Sequence, residues 1–231
     1  MNAIILAAGL GSRFKDFVSN SHKALLPILS MPNIERTIKF LQEANIFDIF
    51  IVTGHNAHLF EYLNDKYKCK IIYNEKYKEY NNIYSFFKVS NYFENSYVID
   101  ADVVLYKNIF LEKLESSTYF LIHRLKREKE WVPIIDKMGI IRQIDVSNDD
   151  KPSLLGVSFW IGEDCYSIKK ALSNYLESDI LNNPKYYWDD IPRKLILTKK
   201  LAVRTLLLND SDAGEMDTVE DYLSLLNYKK T

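Results

Sequence analysis

The fold is decided by residues 2–13, which read Asn2-Ala-Ile-Ile-Leu-Ala-Ala-Gly-Leu-Gly-Ser-Arg13. The apolar run over residues 2–7 predicts a short buried strand. The Gly-x-Gly turn that follows removes side chains, so that backbone N–H groups can approach phosphate oxygens. Arg13 and, ten residues later, Lys23 supply two cations. This arrangement predicts a polyphosphate site at the end of the strand.

The loop does not match the better-known phosphate-binding motifs. A dinucleotide fingerprint needs a third glycine, and this chain has Phe14 at that position. A P-loop needs Gly-Lys-Ser/Thr where this chain has Phe14-Lys15-Asp16. No kinase loop set is present. Taken alone, the Gly-x-Gly turn is compatible both with a phosphate loop and with a simple tight turn.

Further along the chain, apolar runs alternate with segments of helical period, which is typical of an α/β fold. We therefore predict a Rossmann-like α/β/α sandwich with a mixed, mainly parallel sheet, in which Asn56 and Thr218 cap two helices. Strands are predicted over residues 2–7, 48–53, 69–73, 96–100, 117–123, 154–160 and 201–208. Helices are predicted over residues 32–44, 56–67, 80–93, 109–115, 163–176, 189–199 and 218–226.

Residues 124–153 differ from the rest of the chain. They are rich in charge and contain Pro133, Gly139 and Pro152. We interpret them as a small inserted lobe of strands and loops that forms a lip over a site. Because no linker composition is visible, residues 1–231 are predicted to form a single domain.

The predicted strand over residues 96–100 leads into Asp100-Ala101-Asp102. The carboxyl ends of parallel strands meet at one edge of a sheet, where ligands of α/β proteins bind. We therefore expect the glycine loop and Asp102 to face one crevice. A simpler role for these aspartates, solvation of a strand end, is also compatible with the pattern.

Composition excludes several classes of function. The chain has 231 residues, 47% of them apolar, and a net charge of −1, so no global field attracts nucleic acid or anionic membrane. No apolar stretch reaches the ~20 residues of a membrane span, and no leader peptide is visible. Cys69 and Cys165 are expected to be buried thiols in a reduced, cytoplasmic setting. We expect neither a nucleic-acid partner nor a membrane partner, and the oligomeric state stays open.

The order of motifs resembles that of the nucleotidyltransferases that activate small phosphomonoesters with nucleoside triphosphates. Within this family the chain is similar to the bacterial phosphocholine cytidylyltransferases of the LicC type, and also to a related branch that uses L-glutamine phosphate in the synthesis of capsular phosphoramidate. The likeness covers almost the whole chain. Besides residues 7–27, it is carried by Asn81-Asn82-Ile83-Tyr84-Ser85, Tyr97-Val98-Ile99-Asp100-Ala101-Asp102, Leu155-Gly156-Val157-Ser158-Phe159-Trp160, Tyr187-Trp188-Asp189 and Glu215-Met216-Asp217-Thr218-Val219-Glu220-Asp221-Tyr222.

This resemblance implies roles for individual residues. Arg13 would contact the β- and γ-phosphates of CTP, Lys23 would lie near the α-phosphate, and Asp102 and Asp217 would hold Mg²⁺. Nucleotidyl transfer depends on positioning and charge neutralisation, and Mg²⁺ usually takes one or two carboxylates, so these residue types suit the chemistry. The remaining nucleotide-binding residues implied by the resemblance are Leu6, Ala7, Ala8, Gly9, Leu10, Gly11, Ser12, Tyr80, Asn81, Asn82, Ser85, Asp100 and Ala101.

The acceptor site implied by the resemblance is aromatic. Trp131 and Tyr187 would lie against a quaternary ammonium group, with Trp160 as a further candidate, because aromatic faces attract cations. Arg124 heads a charged run that also contains Lys126, Arg127 and Lys129. Since Arg binds carboxylates in bidentate fashion, this run favours a phosphorylated amino acid, slightly, over phosphocholine. A solvated surface is the simpler interpretation of the same run.

One departure from the family pattern concerns the loop between Arg13 and Lys23. The family usually has prolines there, including one before the lysine, whereas this chain has residues such as Asp16 and His22. His22 either contacts phosphate or is an incidental loop residue. Two alternatives to a cytidylyltransferase also stay open: a sugar-1-phosphate nucleotidyltransferase, and a non-catalytic nucleotide-binding regulatory protein.

Overall fold

The computed structural model of the protein describes residues 1–18, 20–124, 129–183 and 185–227. Within these residues, the strands are β1 Asn2–Ala7, β2 Pro27–Ile28, β3 Met31–Pro32, β4 Ile49–Thr53, β5 Lys70–Tyr73, β6 Ser96–Asp100, β7 Val103–Leu105, β8 Thr118–Ile122, β9 Glu130–Ile135, β10 Ile141–Ser147, β11 Ser153–Trp160, β12 Arg204–Leu207 and β13 Ala213–Glu215. The α-helices are α1 Asn33–Glu43, α2 Tyr62–Tyr67, α3 Asn82–Val89, α4 Gly162–Leu172, α5 Ser178–Leu181, α6 Asp190–Leu197 and α7 Val219–Asn227. Short 3₁₀ helices span Lys15–Val18, Lys23–Leu25, Ala57–Phe60, Ser90–Tyr92 and Ser173–Tyr175.

The central sheet has seven strands in the order β12-β8-β11-β6-β1-β4-β5. Neighbouring strands are parallel except at β11, which runs antiparallel to both β6 and β8. The predicted mixed, mainly parallel sheet is therefore confirmed. Strand β1 lies between β4 and β6, which places the glycine loop at the middle of the carboxyl edge.

Successive side chains of β1 enter two different cores, as the period of a strand requires. Ala3 and Ile5 pack with α1 on one face of the sheet. Ile4 and Leu6 pack with α3, α4 and α6 on the other face. Helices thus cover both faces, and the α/β/α sandwich is confirmed. The buried strand explains why residues 2–7 form an almost continuous apolar run.

Two predictions about local structure are wrong. Residues 109–115 do not form a helix, because their backbone is bound by other groups: the Tyr97 hydroxyl contacts both the N–H and the carbonyl of Leu111, and Asn108 accepts from the N–H of Phe110. Asn56 occupies the N-cap position of the 3₁₀ helix Ala57–Phe60, but it adopts a left-handed conformation with φ of 51° and its side chain makes no capping hydrogen bond. Its side chain instead donates to the carbonyl of Ser21 at 2.7 Å.

The C-terminal helix α7 begins as predicted. The hydroxyl of Thr218 accepts from the N–H of Asp221, and the Asp221 carboxylate accepts from the N–H of Thr218. This reciprocal pair is a capping box. Just before it, β13 pairs with β7 in a two-stranded sheet that the sequence patterns did not predict.

The predicted lobe contains a β-hairpin formed by β9 and β10. Ile141 and Ile144 are buried in the same core as α6, so the hairpin is anchored on the sandwich. Lys126 and Arg127 of the charged run lie outside the described residues.

Cys69 and Cys165 are free and buried, as expected. Over the ranges that the structure describes, no helix is long and apolar enough to cross a membrane.

Gly54, the residue that follows strand β4, packs closely against the start of the glycine loop. A Cβ at this position would lie 2.5 Å from the Cβ of Tyr77 and 2.7 Å from the carbonyl oxygen of Ala8. We expect Gly54→Ala to lower the free energy of unfolding by about 1–3 kcal/mol, because the added methyl group forces the backbone apart. Urea unfolding measures the change.

Gly162→Ala is the matched control for this prediction. Its added Cβ would meet only Asn95 at ordinary contact distances of 3.6 Å and longer. We expect the control to unfold like the wild type. Equal stability of Gly54→Ala and wild type would contradict the close packing of β4 against the loop.

Candidate active site

The glycine loop and Asp102 line one cavity of about 590 Å³ at the carboxyl edge of the sheet. This cavity confirms the expectation that they share a crevice. The lining includes most of the predicted nucleotide-binding residues, while Gly11 and Ser12 lie outside it. The predicted site residues that line it are Leu6, Ala7, Ala8, Gly9, Leu10, Arg13, Lys23, Tyr80, Asn81, Asn82, Ser85, Asp100, Ala101, Asp102, Arg124, Trp131, Tyr187 and Asp217.

The turn that carries Asp102 is held by backbone contacts on two sides. The N–H of Ala101 donates to the carbonyl of Leu6, which ties the turn to β1. The buried amide of Asn33, at the start of α1, donates to the carbonyls of Ala101 at 3.3 Å and Val103 at 2.7 Å. The position of Asp102 is therefore fixed by the sheet and by α1 together.

Asp217 reaches Asp102 through the pairing of β13 with β7. In that pairing Glu215 lies opposite Val103. The N–H of Met216 then donates to the carbonyl of Asp102 at 3.0 Å. Two aspartates separated by more than a hundred residues are in this way brought to one end of the cavity.

Each of these aspartates is paired with a cation. The Nζ atom of Lys23 lies 2.6 Å from Oδ2 of Asp102, and Nη1 of Arg13 lies 2.9 Å from Oδ1 of Asp217. Burial lowers the pKa of Lys23, but the charge of Asp102 more than offsets this, so its pKa is raised. Burial, together with the charge of Asp102, raises the pKa of Asp217. The four residues form two charge-balanced pairs.

Asp102 and Asp217 fit a magnesium ion by their chemistry. Both present hard carboxylate oxygens to the cavity, and Mg²⁺ usually takes one or two carboxylates with water and phosphate oxygens for the rest. Among the described residues, no three His, Cys, Asp or Glu side chains form a cluster that could hold a metal by themselves. The pair thus suits an ion that arrives with a phosphate ligand better than a closed structural metal site.

His22 connects the glycine loop to Lys23. Its Nδ1 accepts from the N–H of Ala24 at 3.1 Å, so the proton lies on Nε2, which donates to the carbonyl of Gly9 at 3.2 Å. Its ring packs edge-on against Phe60. Burial lowers the pKa of His22 from 6.5 to about 4. Both ring nitrogens are used within the protein, so we interpret His22 as a brace of the loop.

Helix α3 contributes polar side chains that are already hydrogen-bonded. Asn81 caps the helix by accepting from the N–H of Asn82, while the side-chain oxygen of Asn82 accepts from the N–H of Trp188. The hydroxyl of Ser85 accepts from the Asn74 amide at 2.9 Å. These contacts fix the wall of the cavity and join α3 to the loop before α6.

The structure separates the predicted acceptor residues into two groups. Trp131 of β9 and Tyr187 line the cavity with ring centroids 6.3 Å apart and planes at 87°. Trp160, by contrast, is fully buried and donates its Nε1–H to the Ser158 hydroxyl. Its prediction as an acceptor-binding residue is wrong, because its ring packs in the core against Trp188.

Arg124 lines the cavity but is committed to neighbouring groups. Its guanidinium contacts the carboxylate of Glu215 at 2.5 Å, the carbonyl of Leu154 at 2.9 Å and the hydroxyl of Ser153. Its Nε also lies 3.7 Å from a carboxylate oxygen of Glu130. With these partners in place, the fork of Arg124 is not open to a carboxylate of an acceptor.

Two further carboxylates line the cavity, to which the sequence patterns assigned no role. Burial raises the pKa of Asp189 and that of Glu215 to about 7 each. Asp189 accepts from the Tyr119 hydroxyl at 2.9 Å. With Asp100, whose pKa burial and the charge of Asp102 also raise, they surround the inner cavity with acidic groups.

Gly156 makes this acidic cluster possible. A Cβ there would lie 3.0 Å from Asp100 and 3.2 Å from Glu215, and the residue has a positive φ of 62°. Asp189 and Glu215 both belong to stretches that carry the family resemblance. Their place in those stretches was the only sequence signal for these two residues, and it gave no indication that their carboxyl groups are buried.

Comparison with known proteins agrees with this geometry. Residues 3–137 match the model of the MobA-like NTP transferase domain. The chain is 52% identical to a choline-phosphate cytidylyltransferase of Haemophilus influenzae, over 98% of this chain and 96% of that protein. It is 38% identical to a choline-phosphate cytidylyltransferase of Streptococcus pneumoniae, over 97% of this chain and 96% of that protein.

A solved structure is similar over the same extent. The CTP:phosphocholine cytidylyltransferase from Streptococcus pneumoniae (LicC) matches with a TM-score of 0.94 and 37% identity. The match covers 99% of both chains. The layers of the sandwich, and the sheet edge at which the cavity lies, therefore belong to a fold that the two proteins share over their whole length.

The buried position of His22 predicts a specific pH dependence of stability. As the pH falls below 6.5, the unfolded chain takes up a proton on His22, while the folded protein resists protonation until about pH 4. Stability therefore decreases as the pH falls through this window. Between pH 7 and 5.5, we expect the wild type to lose about 1 kcal/mol more free energy of unfolding than His22→Gln.

Urea unfolding at the two pH values tests this expectation. The comparison uses the change with pH of each protein, so a uniform loss of stability in the variant does not affect it. Identical pH dependence of the two proteins would show that His22 is not held neutral in the fold.

Proposed function

The chain belongs to the MobA-like NTP transferase family, and on this premise we propose that it transfers the cytidylyl group of CTP to phosphocholine and releases pyrophosphate. The observation that carries the proposal is the composition of the cavity. The cavity is lined both by the paired residues Lys23–Asp102 and Arg13–Asp217 and by the aromatic pair Trp131 and Tyr187, and we call these two parts its nucleotide end and its acceptor end. One end suits a triphosphate, and the other suits a small cationic acceptor.

The nucleotide end supplies charge at fixed positions. Lys23 is partly buried on a short 3₁₀ helix, and Arg13 follows the glycine loop. An entering triphosphate would replace the carboxylates as the partner of both cations, with Lys23 beside the α-phosphate and Arg13 beside the β- and γ-phosphates. Asp102 and Asp217 would then be available to hold Mg²⁺, which when bound neutralises phosphate charge.

The reaction proposed needs no nucleophile from the protein. An oxygen of the acceptor phosphate attacks the α-phosphorus of CTP, the bond to the bridging oxygen breaks, and pyrophosphate leaves with that electron pair. The contribution of Lys23 and Arg13 is to orient the triphosphate and to stabilise the charge that develops on it, as in other phosphoryl-transfer sites.

The acceptor end favours phosphocholine by its charge. Aromatic faces attract a quaternary ammonium by ~0.5–2 kcal/mol, and carboxylates of the same cavity add to this attraction in their ionised form. Asp100, Asp189 and Glu215 line that cavity; burial raises their pKa values, and a bound cation would favour their ionised forms. A phosphorylated amino acid would bring its own carboxylate towards these acids, while Arg124 is committed to Glu215. The cavity therefore supports phosphocholine better than L-glutamine phosphate.

The same charge argument separates this proposal from the sugar alternative. The hydroxyl groups of a sugar 1-phosphate carry no cation to place beside three acidic side chains. CDP-choline, in contrast, is an activated donor of phosphocholine. We propose that it serves the decoration of a bacterial surface polysaccharide, as the family resemblance implies.

The proposal predicts which acceptors support turnover. With CTP and Mg²⁺, we expect pyrophosphate release with phosphocholine, and at least ~10-fold less with L-glutamine phosphate, phosphoethanolamine or glucose 1-phosphate, because these lack a quaternary ammonium. A coupled pyrophosphate assay measures the rates. No release with any acceptor, or binding of CTP without turnover, would contradict an enzymatic role.

The variant Asp102→Asn tests the proposed role of Asp102 in the same assay. The substitution keeps the shape of the side chain but removes the charge that faces Lys23. We expect turnover to fall by at least ~100-fold, as when a charge-stabilising group is removed, in a protein that remains folded. Wild-type turnover in this variant would remove Asp102 from the proposed metal site.

Trp131 is predicted to affect the affinity for the acceptor and not the affinity for CTP. We expect Trp131→Ala to raise KM for phosphocholine about 10-fold, while KM for CTP stays within about twofold, because the lost cation–π contact concerns only the ammonium group of the acceptor. Trp131→Phe retains an aromatic face and is expected to lie between the two. Steady-state kinetics with each substrate varied in turn measures both KM values. A parallel rise of the two KM values would contradict a role of Trp131 that is limited to the acceptor.

A further inference from the structure

Arg193 of α6 stacks on the ring of Trp131 from outside the cavity. Its Cζ lies 4.3 Å from the ring centroid, which is a cation–π contact. Trp131 lines the cavity, whereas Arg193 lines a neighbouring groove together with Ile144 and Tyr186. The guanidinium therefore supports the ring from a position where it does not touch the contents of the cavity.

Arg193 is held in place by two hydrogen bonds. Its Nη2 donates to the carbonyl of Ile144 at 3.0 Å, and its Nη1 contacts Oδ1 of Asp190 at 3.1 Å. Ile144 lies in β10, opposite Pro133 of β9, two residues from Trp131. The planar fork of the guanidinium thus fastens α6 to the hairpin that carries the indole.

Asp190 extends this link to the second aromatic residue. While its Oδ1 contacts Arg193, its Oδ2 accepts from the N–H of Tyr187 at 2.8 Å. The one ion pair therefore contacts both sides of the aromatic site: the ring of Trp131 through Arg193, and the backbone of Tyr187 through Asp190. Both partners are partly buried, which limits their screening by salt.

The ion pair of Arg193 and Asp190 also neutralises the positive charge behind the ring of Trp131. A lone guanidinium beneath Trp131 would repel a second cation approaching the ring from the cavity. Asp190 balances that charge at close range. The aromatic surface consequently keeps its attraction for a cation in the cavity while gaining a rigid support.

We propose that Arg193 and Asp190 are positioning residues that set the relative arrangement of Trp131 and Tyr187, and through it the affinity for the cationic head of the acceptor. The part that concerns affinity rests on the proposed function. The part that concerns the arrangement of the rings does not depend on any substrate.

Fluorescence of the free protein tests the arrangement. Trp160 and Trp188 are fully buried, and Trp131 is the third tryptophan of the chain. We expect Arg193→Gln to increase quenching by acrylamide, because it uncovers one face of the Trp131 ring. Lys194→Gln removes one positive charge from the adjacent, exposed position of the same helix and is expected to leave quenching unchanged.

Kinetics test the effect on affinity. We expect Arg193→Gln to raise KM for phosphocholine by up to ~10-fold, with kcat and KM for CTP within about twofold of wild type, since the substitution removes one cation–π interaction and leaves the nucleotide end intact. Arg193→Lys keeps the charge without the planar fork and is expected to restore only part of the affinity. Lys194→Gln should match wild type in every constant.

The outcomes separate this inference from the proposed function. If the wild type does not use phosphocholine, the proposed function fails. If in that case Arg193→Gln increases quenching and Lys194→Gln does not, the positioning role still stands. Unchanged quenching and unchanged KM for phosphocholine in Arg193→Gln would overturn the inference. A parallel rise in KM for CTP, or a similar change in Lys194→Gln, would overturn it as well, because the effect would then be general.

Discussion

Two ion pairs, Lys23–Asp102 and Arg13–Asp217, are the interaction on which the rest of the site depends. Taking a charge out of water is costly unless a partner of opposite sign accompanies it. This cost applies to the largely buried pair of Lys23 and Asp102, whereas Arg13 and Asp217 form an exposed pair beside it. In the proposed reaction, the same four groups exchange partners when a metal-bound triphosphate enters.

The scaffold makes those pairs possible because it fixes their backbones first. Asn33 and Leu6 hold the turn that carries Asp102, and the pairing of β13 with β7 brings Asp217 to it. His22 ties the glycine loop to the short helix of Lys23. These contacts use backbone groups and neutral side chains, so they persist while the charged groups change partners. Rigid support of this kind is what positioning-based catalysis requires.

In the proposed function, acceptor selectivity arises from the combination of acidic and aromatic groups that line the cavity. The carboxylates of Asp189 and Glu215 are buried, and Arg124 compensates Glu215 in part. The aromatic pair is held from behind by Arg193 and Asp190. A small cation is the ligand that both features favour. The fold is thus shared with the family, whereas in the proposed function acceptor choice depends on how the hairpin and α6 meet.

The sequence by itself determined the layered fold, the position of the glycine loop at the end of β1 and the family, because strand period and the order of local motifs are properties of short segments. It also identified Asp102 and Asp217 as partners through that resemblance. Only the tertiary structure decided that Trp160 is a core residue and that Arg124 is already paired. It likewise revealed Asp189, Glu215 and the support by Arg193. Burial and ion pairing depend on residues far apart in the chain, so no local pattern contains them.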